Sequence, residues 1–138
     1  MILVDTSVLI DYLRGTQNAK SMLFDYMNRH DILFCISAFT YQELLQGARD
    51  EREFEQLKSY LSTQIICCFP PSVTAYEEAA RMYFDLRRQG LTVRSVIDVL
   101  IAHTALQREW MLLHNDKDFD VMAGAFENLR ILESVEDL

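Results

Sequence analysis

Four carboxylic acids lie where predicted strands end or predicted helices begin. Asp5 closes an apolar run at the start of the chain, and Asp116 lies just after the apolar run 110–113. Glu43 lies on the helix predicted after the second strand, and Asp98 lies in the first turn of the helix that leads into the fourth strand. Ligands of parallel α/β sheets bind outside the carboxyl ends of the strands. The four acids are therefore expected to converge on one edge of the sheet.

Converging carboxylates favour a metal site. Asp98 shares a helical stripe with the apolar residues Ile101, Ala102 and Ala105, and a lone carboxylate on a buried stripe is costly. Crowded carboxylates also repel one another and raise their pKa values. A hard divalent cation removes this conflict, and Mg²⁺ prefers oxygen ligands. The chemistry that such a site supports is hydrolysis by a metal-activated water.

Each acid taken singly also has a structural explanation. Asp5 and Asp116 suit the N-cap position of a helix. Asp98 follows Ser95 by three residues, a spacing close to that of a capping box. Glu43 suits a solvated helix face. The residues alone leave both explanations open.

The elements that must position these acids alternate along the chain. Short apolar runs separated by helical periods predict βα units and a parallel sheet. The predicted strands are residues 1–5, 32–36, 65–69, 110–113 and 130–132, and Pro70 and Pro71 are predicted to end the third of them. The predicted helices are 6–14, 18–29, 39–48, 51–61, 73–89, 96–109 and a short one from about 117, with Ser37, Ser72 and Ser95 as N-caps. The 138 residues suit a single domain spanning 1–138.

Composition narrows the class of protein. The start of the chain has no basic segment, and residues 32–42 are too short and too polar to span a bilayer, so a cytoplasmic protein with no membrane segment is expected. Cys35, Cys67 and Cys68 lack the spacing of a zinc site or a disulfide framework and are expected to be buried, reduced thiols.

Charge is distributed unevenly along the chain. The net charge of −8 is unusual for a nucleic-acid enzyme, because phosphate binding requires Lys and Arg. Residues 81–94, however, contain four arginines and one aspartate, a local charge of +3. From charge alone a solvated helix face is the favoured explanation. The arginines are Arg81, Arg87, Arg88 and Arg94.

Four ordered motifs carry a family resemblance across essentially the whole chain. They are Asp5-Thr6-Ser7, the segment 37–44 with Glu43 as its acid, the segment 98–102, and the segment 112–119 with its Asp-x-Asp-Phe ending. This pattern resembles the PIN-domain family, and the size fits its VapC-type toxins of type II toxin–antitoxin systems. The resemblance implies a three-layer α/β/α fold with a central parallel sheet of about five strands in the order 3-2-1-4-5.

The resemblance also assigns site residues. It implies that Asp5, Glu43, Asp98 and Asp116 are catalytic acids that hold Mg²⁺, for which Mn²⁺ is a substitute, whether one ion or two. Asp118 is a further metal candidate, and Thr6 and Ser7 are supporting hydroxyls. His114 departs from the family, in which Thr is frequent, and is interpreted as a strand-end residue because Mg²⁺ disfavours imidazole. His103 is interpreted as structural.

The activity implied is Mg²⁺-dependent endoribonuclease cleavage by the toxin of a VapBC-type module, leaving 5′-phosphate and 3′-hydroxyl ends. Relatives cut tRNA or ribosomal RNA, and the sequence leaves that choice open. Arg94 is the first candidate for contact with the RNA, followed by Arg81, Arg87 and Arg88. The partners implied are a VapB-like antitoxin, which places a basic side chain in the acidic site, and a second copy of the chain in a homodimer.

Three alternatives remain beside the nuclease. A haloacid-dehalogenase-like phosphatase also begins with an Asp after its first strand, but it needs a second acid at the position of Ser7. A receiver domain needs an acid on strand three, and residues 65–71 contain none. A catalytically silent PIN-type module that binds RNA or protein is opposed by the full set of acids.

Overall fold

The computed structural model describes residues 1–69 and 72–138. The prediction that Pro70 and Pro71 end the third strand falls between these ranges and lies outside the described residues.

A parallel sheet forms the centre of the fold. In the described part of the chain it has five strands in the order β3-β2-β1-β4-β5. The strands are β1 (Ile2–Val4), β2 (Phe34–Ser37), β3 (Ile66–Cys67), β4 (Met111–Leu113) and β5 (Arg130–Ile131). In the register, Leu3 of β1 lies opposite Cys35 on one side and Leu112 on the other. The predicted fold class and strand order are confirmed.

Helices follow the strands as the alternating pattern predicts. They are α1 (Thr6–Leu13), α2 (Ala19–Arg29), α3 (Ala38–Gln46), α4 (Glu51–Leu61), α5 (Val73–Arg88), α6 (Val96–Gln107) and α7 (Lys117–Ala125), and the 3₁₀ turn Val135–Asp137 comes last. The predicted serine N-caps are confirmed, because the hydroxyls of Ser37, Ser72 and Ser95 each accept a hydrogen bond from a first-turn N–H.

Several predicted boundaries differ from the structure by one or two residues, and two of these differences have a backbone reason. Helix α6, which leads into β4, ends at Gln107 instead of the predicted residue 109, and Glu109 has a φ of 54°. The second strand begins at Phe34 instead of residue 32, after Asp31 with a φ of 52°. Neither residue is glycine, the usual occupant of this left-handed region.

The sheet separates two apolar cores. Ile2 and Val4 of β1 pack in one cluster with residues of α1 and α2, and Leu3 packs in the other with residues of α5, α6 and α7. Successive strand residues point to opposite faces. Helices therefore cover both faces of the sheet, and the strand ends are left for the site.

The cysteines correct one expectation. Cys35 is buried as predicted, but Cys67 is only partly buried and Cys68 is exposed. The reason is that β3 is a two-residue strand at the edge of the sheet, and Cys68 follows its end.

The longest helix within residues 1–69 and 72–138 is α5, with 16 residues. In these ranges each helix is too short or too polar to span a bilayer.

Candidate active site

Three aspartates form the tightest group of acids. One carboxylate oxygen each from Asp98, Asp116 and Asp118 lies within 4.8 Å of the other two. Asp98 lies in the first turn of α6, Asp116 is the N-cap of α7, and Asp118 lies in the first turn of α7. The N-terminal ends of two helices therefore bring Asp98 close to two residues that lie 18 and 20 positions later in the sequence.

Asp5 lies buried between the end of β1 and the start of α1. Its Oδ2 atom accepts hydrogen bonds from the Ser7 backbone N–H at 3.0 Å and from the Ser7 hydroxyl at 2.6 Å. Burial raises the pKa of Asp5, the negative charge of Glu43 raises it further, and the hydrogen bonds from Ser7 and Thr6 lower it. The Asp5 side chain is thus fixed in position, and its burial and the nearby charge of Glu43 make its ionised form less favourable.

Glu43 accepts a hydrogen bond from Thr6, the first residue of α1. The Thr6 hydroxyl lies 3.1 Å from Glu43 Oε2 and 3.1 Å from the Thr40 hydroxyl. The Ser37 hydroxyl donates to Thr40 at 3.0 Å. Buried hydroxyls therefore link the first turn of α1 to α3. Of these, the sequence predicted a supporting hydroxyl at Thr6 and missed Thr40.

One titrating group shows that the acids share a site. Burial and, to a smaller extent, the negative charges of other acids together raise the pKa of Asp98 to about 7. In decreasing order of effect these acids are Asp5, Asp116, Asp118 and Glu43. The structure thus brings the five acids singled out from the sequence into one electrostatic cluster.

The acids that cap helices are also members of the acidic cluster, so the structural and the chemical explanations are compatible. Asp5 and Asp116 are N-caps, and the Asp98 backbone N–H donates to the Ser95 hydroxyl at 3.3 Å. Asp116 uses Oδ1 to cap the Asp118 N–H at 2.9 Å. Because a cap requires one oxygen and fixes the side chain, capping presents a carboxylate to the cluster in a defined position.

The donor set fits a hard divalent cation. Its ligand atoms are all carboxylate oxygens, the type that Mg²⁺ and Mn²⁺ select, whereas thiolates and imidazoles select softer metals. Asp118, the weakest candidate from the sequence, belongs to the closest group. Its Oδ2 atom also accepts the Arg94 backbone N–H at 3.1 Å, so Asp118 is held in place from outside its own helix.

A hydrogen-bonded chain that the sequence did not reveal supports Asp5. The Asn115 backbone N–H donates to the Ser7 hydroxyl at 3.0 Å, and the Asn115 side chain donates to Asp11 Oδ2 at 2.9 Å. Asn18, the N-cap of α2, donates to the same Asp11 oxygen at 2.8 Å. Ser7 therefore connects Asp5 to the loop that carries Asp116.

Ser7→Ala is expected to weaken binding of Mn²⁺ about 10- to 100-fold, the usual effect of removing a group that orients a metal ligand. The loss follows because Asp5 keeps only backbone donors once the 2.6 Å hydroxyl contact is removed. Isothermal titration calorimetry measures the affinity. Ser7→Thr, which retains a hydroxyl, and Ser62→Ala on the exposed end of α4 serve as controls. An unchanged affinity in Ser7→Ala would remove Ser7 from the site.

The four candidate arginines lie in two places. Arg94 borders the cluster, because its Nε atom lies 3.8 Å from Asp118 Oδ2 while its side chain is 80% exposed. Arg81, Arg87 and Arg88 lie instead on the exposed C-terminal half of α5.

The two histidines of interest lie outside the group of acids. His114 directly follows β4 and is buried, and its Nδ1 accepts the Asp116 backbone N–H at 3.1 Å. Burial lowers the pKa of His114, which keeps that acceptor available. His103 is buried on α6, with Nε2 2.7 Å from Glu78 Oε2.

Comparison with known proteins places this geometry in a family. The model of the PIN domain family matches residues 2–125. Ribonuclease VapC11 of Mycobacterium tuberculosis is 30% identical over 124 residues, which cover 89% of this chain and 92% of that protein.

Solved structures agree in fold. A DNA-bound VapBC from Salmonella typhimurium superposes with a TM-score of 0.73 at 22% identity, covering 95% of this chain and 96% of that chain. VapBC2 from Rickettsia felis, bound to a promoter DNA fragment, gives a TM-score of 0.71 at 21% identity, covering 96% of this chain and 98% of that chain.

Proposed function

The chain belongs to the PIN-domain family, and on that basis we propose that it is a VapC-type toxin that cleaves RNA as a Mg²⁺-dependent endoribonuclease. The observation that carries the proposal is the carboxylate cluster, in which the pKa of Asp98 is raised to about 7 by burial and by four neighbouring acids. A cluster of this kind is at its most favourable with a cation among its oxygens. The reaction, cleavage of RNA, is inferred from relatives that are named ribonucleases.

The residues that would hold the ion are Asp5, Glu43, Asp98 and Asp116, with Asp118 completing the close group. When bound, Mg²⁺ or Mn²⁺ lowers the pKa of a coordinated water and offsets charge on a scissile phosphate. The chain itself contributes fixed oxygens. Ser7 holds Asp5, Thr6 contacts Glu43, and the Arg94 N–H holds Asp118.

Arg94 is the proposed first contact with the RNA backbone. Its exposed guanidinium group lies beside Asp118 at the rim of the acids, where an approaching phosphate would pass. A guanidinium group binds a phosphate through two parallel hydrogen bonds. Arg94 would thereby offset part of the repulsion between the RNA and the acidic site.

Two of the three alternatives, the phosphatase and the silent binding module, have no comparable support in the structure. A phosphatase would need an acid at position 7, and the Ser7 hydroxyl there donates to Asp5 at 2.6 Å. A silent binding module would not need five clustered acids, in which burial and the charges of the other four raise the pKa of Asp98 to about 7. We therefore assign hydrolysis rather than binding alone.

A groove beside the cluster suits the antitoxin. A cavity of about 610 Å³ lies between α1, α3 and α4 and has Glu43 in its lining. Its apolar lining residues include Ile10, Leu13, Leu44 and Leu57. We propose that a VapB-like segment lies here and directs a basic side chain towards Glu43, since an acidic cluster attracts Arg. We also propose that the chain forms a homodimer and acts in the cytoplasm.

The proposed nuclease domain extends over residues 1–138. The matched family region ends at residue 125, but β5 (Arg130–Ile131) pairs with β4 beyond it. The C-terminal segment thus belongs to the same sheet that carries the site.

Incubation of the purified chain with total RNA and Mg²⁺ tests the function. We expect internal cleavage that leaves 5′-phosphate and 3′-hydroxyl ends, and no cleavage in excess EDTA. Sequencing of the new 5′ ends identifies the substrate. Intact RNA together with release of phosphate from a monoester would support the phosphatase instead.

A further inference from the structure

An exposed aromatic ring on α5 is surrounded by three arginines. The guanidinium carbons of Arg81, Arg87 and Arg88 lie 5.2, 5.9 and 5.7 Å from the centroid of the Phe84 ring. Phe84 as a whole residue is 38% exposed. We call these four residues the Phe84 cluster.

The positive charge of the Phe84 cluster is only partly neutralised. Arg81 pairs with Asp85 at 3.1 Å. Arg87 and Arg88 form no ion pair with any acid of residues 1–69 or 72–138. In a chain of net charge −8 the Phe84 cluster is a local excess of positive charge.

A second exposed phenylalanine shows what an ordinary solvated helix looks like here. Phe54 on α4 is 36% exposed, close to the value for Phe84. Its neighbours in the sequence include the acids Glu51, Glu53 and Glu55. Exposure of a ring alone is therefore common to both helices, and the surrounding arginines distinguish Phe84.

The Phe84 cluster is connected to the acids by a short segment. Arg94, whose backbone N–H is bound to Asp118, comes six positions after Arg88 at the end of α5. Even fully extended, this segment spans at most about 22 Å. Gly90, with a φ of 76°, turns the chain just after α5, so the true distance is shorter. A single strand of a few nucleotides reaches from one to the other.

We propose that the Phe84 cluster is a docking surface for single-stranded RNA, with one base stacked on Phe84 and phosphates bound by Arg87 and Arg88. The inference rests on the proposed ribonuclease function and names the form of its substrate. Surfaces that bind single strands combine aromatic stacking with basic side chains, because every base has a flat face. The long arginine side chains are exposed and can move from the ring to a phosphate.

Equilibrium binding of a fluorescent single-stranded RNA in the Asp98→Asn background tests the stacking. Phe84→Ala and Phe84→Leu are expected to weaken binding about 5- to 20-fold, and Phe84→Trp to retain it. Phe54→Ala is the matched control and leaves the affinity unchanged. The same RNA annealed into a duplex is expected to lose little affinity on Phe84→Ala, because its bases are already stacked.

The phosphate contacts have a separate signature. Arg87→Ala and Arg88→Ala are each expected to make the slope of log affinity against log salt shallower by about 0.7, the value for one single-strand phosphate. Arg29→Ala, which removes an exposed arginine of α2, controls for net charge and leaves the slope unchanged.

The outcomes separate this inference from the proposed function. If wild-type protein cleaves RNA but folded Phe84→Ala and Phe84→Leu bind like wild type, the docking surface is wrong and the nuclease stands. If these variants alter self-association in sedimentation but leave RNA affinity unchanged, the surface binds a second copy and the inference also fails. If the wild-type protein binds the single strand with Phe84-dependent affinity yet never cleaves RNA, the nuclease fails instead.

Discussion

Asp98→Asn is expected to lower the rate of RNA cleavage by about a thousandfold or more while making the metal-free protein more stable. The loss follows because Asp98 lies within 4.8 Å of two other carboxylates and interacts electrostatically with all four remaining acids of the cluster. Removing its charge takes away a cation ligand. A cleavage assay under saturating Mg²⁺ measures the effect.

The gain in stability follows from the raised pKa of Asp98. Its pKa moves from 3.8 to about 7 on folding, so the folded state holds the proton more tightly between these values. The free energy of unfolding therefore falls as pH rises through this window. Asn carries no such charge, and Asp98→Asn is expected to be more stable by about 1–2 kcal/mol above pH 7 in the absence of metal.

Denaturant unfolding in EDTA measures this stability difference. Asp25→Asn, which removes an exposed acid paired with Arg29, is the matched control and is expected to change neither cleavage nor the pH dependence. An Asp98→Asn protein that cleaves at the wild-type rate, or that loses stability and activity together, would identify Asp98 as a structural residue.

Binding of the divalent ion is expected to displace a proton and to strengthen as pH rises towards 7. In the metal-free protein Asp98 is largely protonated below its pKa of about 7, and a bound cation needs the carboxylate. Affinity should therefore rise up to about pH 7 and level off above it. At a concentration of about 100 times its Kd, the ion stabilises the fold by about 2.7 kcal/mol.

Calorimetry of Mg²⁺ and Mn²⁺ binding in buffers of different ionisation enthalpy counts the displaced protons. The wild-type protein should release close to one proton at about pH 6 and almost none at about pH 8.5. In Asp98→Asn the proton release is expected to disappear. Affinity that is independent of pH in the wild-type protein would show that the ion binds elsewhere.

The sequence contained most of the information about the fold because local signals agreed with one another. Serines at positions 37, 72 and 95 predicted where three helices begin, and each is an N-cap. Two of the wrong boundaries fall beside Asp31 and Glu109, whose left-handed backbones carry no glycine to indicate them. Backbone hydrogen bonds at the helix ends accompany these conformations, from the Ile32 N–H to the Met27 carbonyl and from the Trp110 N–H to the Ala105 carbonyl.

The site residues that lie at the ends of strands were predictable from the sequence. Asp5 and Asp116 follow strands, so the topology of a parallel sheet places them on one edge. Contacts between distant segments were not predictable. Asn115 contacts Ser7 and Asp11 across more than a hundred residues, and Asp118 joins the close group through the orientation of α7. Such contacts leave no periodicity or spacing in the sequence.

The most direct test of the account is anomalous X-ray scattering from crystals soaked in Mn²⁺. We expect a manganese peak among the carboxylates of Asp5, Asp98 and Asp116, and its loss in Asp98→Asn crystals soaked in the same way. Manganese bound only at other positions, or these three side chains directed away from one another, would contradict the claim that a divalent ion holds the acids together.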